Sequence, residues 1–559
     1  MAFKKRPTKN NSVKDIYNCL NIIESNLMKR KEGAVVVDCI YYNGDIHAFD
    51  KENHIYQAVA IENDKIVSVG TDEMILAQQT SRTNVINLHR QTMLPGFIDA
   101  HLHIFPLGFN LSYVNCQLNS IEGVVEAIKE QASKTTDENE WIMGVGFDES
   151  LFKEDRKLNK WDFQEIKNPV YITRYCLHEA VVNQTAIERA NITNELSIKN
   201  GVIERNKNGE ATGLLKENAM SLVKDILPPY NIENMTNAIQ LANQHLLENG
   251  ITSVHDAGLG FFVDPYKEFE VLQLATKDKK LQVKMYLMVL AEYFEQFYDK
   301  NKDAETNQLK FGSMKLFSDG TLSGKTAALL EPYKDSTQNG MLLYSDEEMA
   351  EYVKVAHKMN KQVAVHAIGS RAIEQVLRVY ETNLKKQPLE NSRHRIEHAT
   401  ITNNNLIQKM NELNVVPVSQ PSLIYAAGDT HNAVIERENN KYFAYKSFIN
   451  NKLQLAGSSD SPVVEVSPFL GIYAAMKRRS IKGKTYNEDE CLSLKEAIKL
   501  YTLNAAYAAF EEDVKGSIEV GKYADFIVLP EDFMSYTAEE VKKTKVKQTI
   551  VNGEIVFSR

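Results

Sequence analysis

Through the middle of the chain, short apolar runs alternate with longer stretches whose apolar positions recur every three to four residues. The short runs are FIDAHLHIF (97–105), ITSVHDAG (251–258), LQVKMYLMV (281–289), GSMKLFSDG (312–320), QVAVHAIG (362–369), HRIEHAT (394–400), VVPVSQPS (415–422) and LQLAGSSDSPV (453–463). Their length and near-continuous apolar character predict buried strands, whereas the 3.6-residue periodicity between them predicts amphipathic helices. Such helices fit MTNAIQLANQHLLENG (235–250), DEEMAEYVKVAHKMNK (346–361) and SRAIEQVLRVYETNLKK (370–386). Eight strands with helices between them is the count of a closed parallel barrel, so the predicted class is α/β, a (β/α)8 TIM-like barrel.

The two ends carry a different pattern. AVVVDCIYYNGDIHAFD (34–50), QAVAIENDKIVSVG (57–70) and TNVINLHRQTMLPG (83–96) alternate in short β-like runs broken by Asn-Gly and Asn-Asp turns. GKYADFIVLP (521–530) and KQTIVNGEIVFSR (547–559) repeat the style. Hairpin turns between alternating runs predict antiparallel sheet, and one small β-sandwich built from both termini is expected. The expected divisions are a polar extension at 1–33 with a short helix over 16–28, sandwich pieces at 34–95 and 505–559, and the barrel at 96–504. One gap is large, since about 108–241 separates the first barrel strand from the second. A bare loop of that length does not fit a compact domain, so an insert with its own secondary structure, capping the barrel mouth, is expected.

At 559 residues the chain exceeds one ordinary core, in keeping with several structural units. A net charge of −9 and the lack of a long basic stripe exclude a nucleic-acid surface. Polar residues interrupt every apolar stretch short of a bilayer span, and the basic start MAFKKRPTKNNSVKD lacks the apolar run of a secretory signal. Five scattered cysteines with no CxxC pair argue for a reducing compartment and against a thiolate metal site. A cytoplasmic protein with a small-molecule substrate, no nucleic-acid or membrane partner, and a symmetric dimer as the default assembly is expected.

Polar residues gather at the C-terminal ends of the barrel strands, where barrel active sites form. His101 and His103, two apart on one strand, share a face; His366 ends QVAVH, His398 ends HRIEH, and Asp460 follows the eighth run. A lone histidine of this kind is usually a packed core residue. Four, with one aspartate at matching strand ends, form a ligand set suited to Zn²⁺ or a related divalent ion.

LPGFIDAHLH, VHAIGSRAI, HRIEHA and GSSDSPV resemble the signature segments of the amidohydrolase superfamily. MKLFSDGTLSGKTAALLEPY and the preceding GITSVHDAG narrow the resemblance to the amidohydrolase-3 (YtcJ-like) group, which includes N-substituted formamide deformylases. NGDIHAFD, KIVSVG and GKYADFIVL resemble that group's β-sandwich, so the likeness runs from about residue 34 to the end. It implies metal ligands at His101, His103, His366, His398 and Asp460, with Asp460 also handling the proton of the attacking water. Lys315 lies where many members carry a carboxylated lysine bridging two metals, which leaves one or two ions open. A free ammonium would repel a cation, so Lys315 helps only as a carbamate or a neutral amine. His178 and Asn183 match a segment that reaches toward the substrate, and Asp319, in a Gly-rich loop, is a third substrate-binding candidate. The family pattern HAIGD reads HAIGS here, with Ser370 at the usual aspartate. Glu397, next to His398, is expected on the opposite strand face, and His255 and Asp256 are expected to support or pack.

The implied activity is hydrolysis of non-peptide C–N bonds, amide-like or formamide-like, by metal-activated water. A deaminase, an isomerase or lyase on the same barrel, and a non-catalytic metal-binding regulator stay open, because a fold does not fix its chemistry.

Overall fold

The computed structural model describes residues 37–174, 178–435 and 440–559. The expected extension at 1–33, with its helix over 16–28, lies outside them. All eight runs form strands: β1 (Phe97–Leu102), β2 (Ile251–Leu259), β3 (Lys284–Leu290), β4 (Leu309–Phe317), β5 (Val363–Ala367), β6 (Arg395–His398), β7 (Val416–Ser419) and β8 (Ala456–Gly457). They pair in parallel and in sequence order within one sheet. Both faces of β1 and β2 are buried along their whole length, which is why these segments read as continuous apolar runs. The ring closes between the residues after β8 and the end of β1. The Asp460 N–H donates to the His101 carbonyl at 2.8 Å and the His103 N–H to the Ser461 carbonyl at 2.9 Å.

The intervening helices form where expected. Ile232–Glu248 and Asp346–Lys358 each begin with a reciprocal capping box, Asn231 with Asn234 and Ser345 with Glu348. Ser370–Lys386 starts directly after the β5 end, so the candidate site and the helix dipole share one turn of chain.

Both termini contribute to one β layer. Strand Gln91–Pro95 pairs antiparallel with Phe526–Glu531 inside a six-stranded sheet, opposite a four-stranded sheet that includes Cys39–Tyr42 and Ala58–Glu62. Tyr41, Val59, Met93, Phe526 and Ile550 fill the space between them. The insert after β1 is a layered unit of its own, with six strands from Val114–Asn115 to Ala211–Glu217. On its strand Val170–Arg174, Val170 and Ile172 join one apolar cluster while Tyr171 joins another, as alternation across a sheet requires. Among the described residues, no helix is long and apolar enough to cross a membrane.

Candidate metal centre

The C-terminal ends of β1, β4, β5 and β6 and the turn after β8 bring the expected ligands together. His101 Nε2 and His103 Nε2 lie 3.4 and 3.5 Å from Asp460 Oδ1, and ligand atoms of all three lie within 4.8 Å of one another. The His398 ring sits 4.9 Å from that of His101, and His366 a further 4.4 Å from His398. Two of these positions have left-handed backbone. Asp460 has φ of 61° and His398 has φ of 73°, left-handed values that Asp and His adopt more readily than most side chains and that end the regular strand geometry at both positions.

Lys315 is buried at 1% exposure, and its Nζ has no hydrogen-bond partner among the described residues. Burial pushes its ammonium down to about 8, against the upward pull of Glu397 and Asp460. Burial also holds His101 and His398 well below the usual histidine range and His366 at about 4. Neutral imidazoles offer lone pairs, and an orphaned lysine nitrogen marks a place where a partner is missing. The donor set therefore fits a divalent cation.

The histidines are aimed by neighbours. Glu397 Oε2 lies 2.5 Å from His101 Nδ1, and Gln420 Oε1 lies 2.8 Å from His398 Nδ1. Each contact places the proton on Nδ1 and leaves Nε2 as the free electron pair. Glu397 corrects the expectation from strand alternation. It points into the barrel with Arg395, its neighbour two residues back, whose Nε and Nη2 donate to its carboxylate at 2.7 and 2.9 Å. His398 reaches the same interior only because its positive φ ends the regular alternation, and sequence spacing carries no sign of that. The Arg-x-Glu pairing on one strand face was the available signal.

Further support comes from Asp99 and Asp256. Asp99 Oδ1 accepts from the N–H of His101 and of Ser459, tying β1 to the Asp460 turn at 3.2 and 3.0 Å. Asp256 accepts from the Ile104 N–H at 2.9 Å, just past His103. His255 Nδ1 faces Arg395 Nη1 at 3.0 Å.

The three substrate candidates are placed apart from one another. Asp319 is buried beside the centre, 3.6 Å from His366 Nε2. Its carboxylate accepts from the N–H groups of Ala328, Ile368 and Gly369 at 2.8, 3.0 and 2.8 Å, which clamps the loop after β4 onto the end of β5. Ser370, at the family's aspartate position, accepts from the Leu330 N–H at 3.0 Å and strengthens the same clamp. Gly369 is needed there, since a Cβ would lie 2.1 Å from the Ala328 carbonyl oxygen. Asn183 is buried in the insert. It caps helix Gln184–Arg189 and holds the Val170 N–H, while its amide nitrogen donates to the Ile166 and Asn168 carbonyls. His178 is exposed, and its Nδ1 lies 3.2 Å from Glu217.

The amidohydrolase family model matches residues 84–557 of the chain. "Putative amidohydrolase YtcJ" of Bacillus subtilis is 33% identical over 93% of this chain and 99% of its own length. The N-substituted formamide deformylase of Arthrobacter pascens is 26% identical over 93% of this chain and 98% of its own. Among solved structures, an uncharacterized metal-dependent hydrolase from Pyrococcus horikoshii superposes with a TM-score of 0.74 at 25% identity, covering 90% of this chain and 99% of that one.

Proposed function

The chain belongs to the amidohydrolase family, and on that premise we propose that it hydrolyses C–N bonds of small non-peptide amides, formamides among them. The proposed cofactor is a divalent cation, zinc or a near relative, held by His101, His103, Lys315, His366, His398 and Asp460. The convergence of Asp460 Oδ1 on the Nε2 atoms of His101 and His103 carries this reading. The hydrolase relatives and the metal-dependent structural neighbour support it.

A bound divalent cation supplies Lewis acidity, which brings the pKa of water from about 15.7 to roughly 7 and polarises a carbonyl. Glu397 and Gln420 fix the rings of His101 and His398 so that Nε2 of each faces the centre. Asp460 Oδ1 faces the Nε2 atoms of His101 and His103 across the centre, and its carboxylate would take a proton from the attacking water and return it to the leaving nitrogen. Lys315 and His101 are each 1% exposed, so the inner side of the centre is the closed one.

The test is metal analysis of the purified protein, followed by assay of the zinc- and manganese-loaded forms against formamides, acylated amines and aminated heterocycles. Release of an organic amine from the first two classes is expected. Ammonia from the heterocycles alone would replace hydrolysis of amides with deamination, and metal retention without any turnover would point to a regulator.

A further inference from the structure

The centre is polar, but one side of it is walled by aromatic rings. The His103 ring lies 5.3 Å from Phe261 with planes 30° apart, Phe261 lies 6.2 Å from Phe317 at 28°, and Phe317 lies 5.4 Å from His366 at 39°. The four rings make a continuous arc that begins and ends on candidate ligands. Register places Phe317, which pairs with His366 across β4 and β5.

Phe261 is placed by a pinned turn. Its N–H donates to the Gly258 carbonyl at 2.8 Å. The buried Glu268 carboxylate accepts from the N–H groups of Gly260, Phe262 and Val263 at 2.8, 2.9 and 2.7 Å, on both sides of the ring. Despite this fixation the ring is 54% exposed. An aromatic side chain held in water by an ordered loop forgoes its burial free energy, which is regained when an apolar ligand covers it. The rim continues the theme. Val463 is exposed in the turn closed by its N–H on the Asp460 carbonyl, and exposed Leu343 is anchored by its N–H on the Ser318 carbonyl beside Phe317.

We propose that Phe261 and Phe317 form the binding wall for an aryl or branched alkyl substituent carried next to the scissile bond, so that the preferred substrates are apolar rather than hydroxylated amides. The proposal rests on the hydrolase reading for its substrate, but its test does not depend on turnover.

Acetohydroxamate and phenylacetohydroxamate share a metal-binding head and differ in the group offered to the wall. Calorimetry on the zinc-loaded full chain is expected to show the phenyl compound binding roughly tenfold tighter, in line with the worth of an aromatic contact plus area burial. F261A, a change at an exposed position, is expected to cut that ratio to about threefold or less while acetohydroxamate binding stays the same. F317L, which preserves the apolar volume, moves the ratio the same way. An unchanged ratio in F261A, a wild-type preference for the smaller compound, or no binding of either overturns the wall. Phenyl preference without hydrolysis of any amide sinks the hydrolase reading and leaves the wall standing. Amide turnover indifferent to a phenyl group does the reverse.

Discussion

Glu397 Oε2 lies 2.5 Å from His101 Nδ1, a contact across the barrel between β6 and β1 made with both side chains fully buried. Carboxylate behind a ligating imidazole fixes the tautomer and raises ring basicity, and loss of such partners typically costs 10–100-fold in metal affinity. E397Q keeps the shape and removes the charge, so its zinc affinity, read by chelator competition, is expected to fall by roughly that factor. E397A goes further and leaves the Arg395 guanidinium buried without its partner. That should cost about 3–5 kcal/mol in urea unfolding. Wild-type zinc affinity in E397Q would remove the orienting role from Glu397.

The orphaned Lys315 nitrogen leads to a second expectation. Burying a polar group without a partner costs about 1–3 kcal/mol, so K315M should stabilise the metal-free protein by an amount of that order. With metal the order reverses. Bicarbonate is expected to raise metal uptake in the wild type, through carboxylation of Nζ, and to leave uptake in K315M unchanged. Elemental analysis with and without bicarbonate measures it, and equal gains in both proteins would dismiss the carbamate.

For Asp460, the proton-carrying role and the ligand role separate in D460N. The amide retains an oxygen toward His101 and His103 but cannot accept the proton. Turnover is expected to fall about 10²- to 10⁴-fold, with metal content near the wild type. Turnover within a few-fold of wild type would mean that another group moves the proton.

Much of this was legible beforehand because apolar runs report burial on both faces. All eight barrel strands, the sheet joining both termini and the meeting of His101, His103 and Asp460 follow from that pattern and from strand-end positions. Glu397 was not legible. It shares a face with Arg395 by regular alternation, and the expectation failed because His398 reaches that same interior through a φ of 73°, where alternation across a strand no longer holds. Phe261 was hidden for a related reason, since its neighbours are set by a turn pinned through Glu268 rather than by period. Asp319 carried an Asp-Gly turn signal, but its three N–H donors come from segments up to 50 residues away in sequence.

Asn183 and His178 should behave as parts of the insert. N183A removes a helix cap and strands the buried Val170 N–H, which should cost about 1–3 kcal/mol of stability while leaving KM within twofold. H178A should change neither, because an exposed pair with Glu217 contributes little. A KM increase of tenfold or more in either variant would return that residue to the substrate pocket.

A histidine pair behind β5 should contribute its own share of the acid sensitivity. His394 Nδ1 accepts the Val363 N–H at 3.1 Å, which puts its proton on Nε2, 2.9 Å from His357 Nε2. His357 in turn uses Nδ1 toward the Gln387 carbonyl at 3.2 Å. Every polar atom is satisfied with both rings neutral, and an added proton would set two N–H groups against each other. Burial holds His394 down at about 3, against an unfolded value near 6.5. A depressed pKa gives stability that is complete above the unfolded value and is lost as pH falls toward the folded one. Between pH 6.5 and 4.5 the unfolded chain takes up a proton that folded His394 refuses, worth about 2–3 kcal/mol at 1.36 kcal/mol per unit. Asparagine can still accept the Val363 N–H through its side-chain oxygen but does not titrate. The metal-free wild type should therefore lose about that much more stability than metal-free H394N over this interval, measured by urea unfolding at each pH. Parallel curves for the two proteins would show that His394 carries no share of the acid sensitivity.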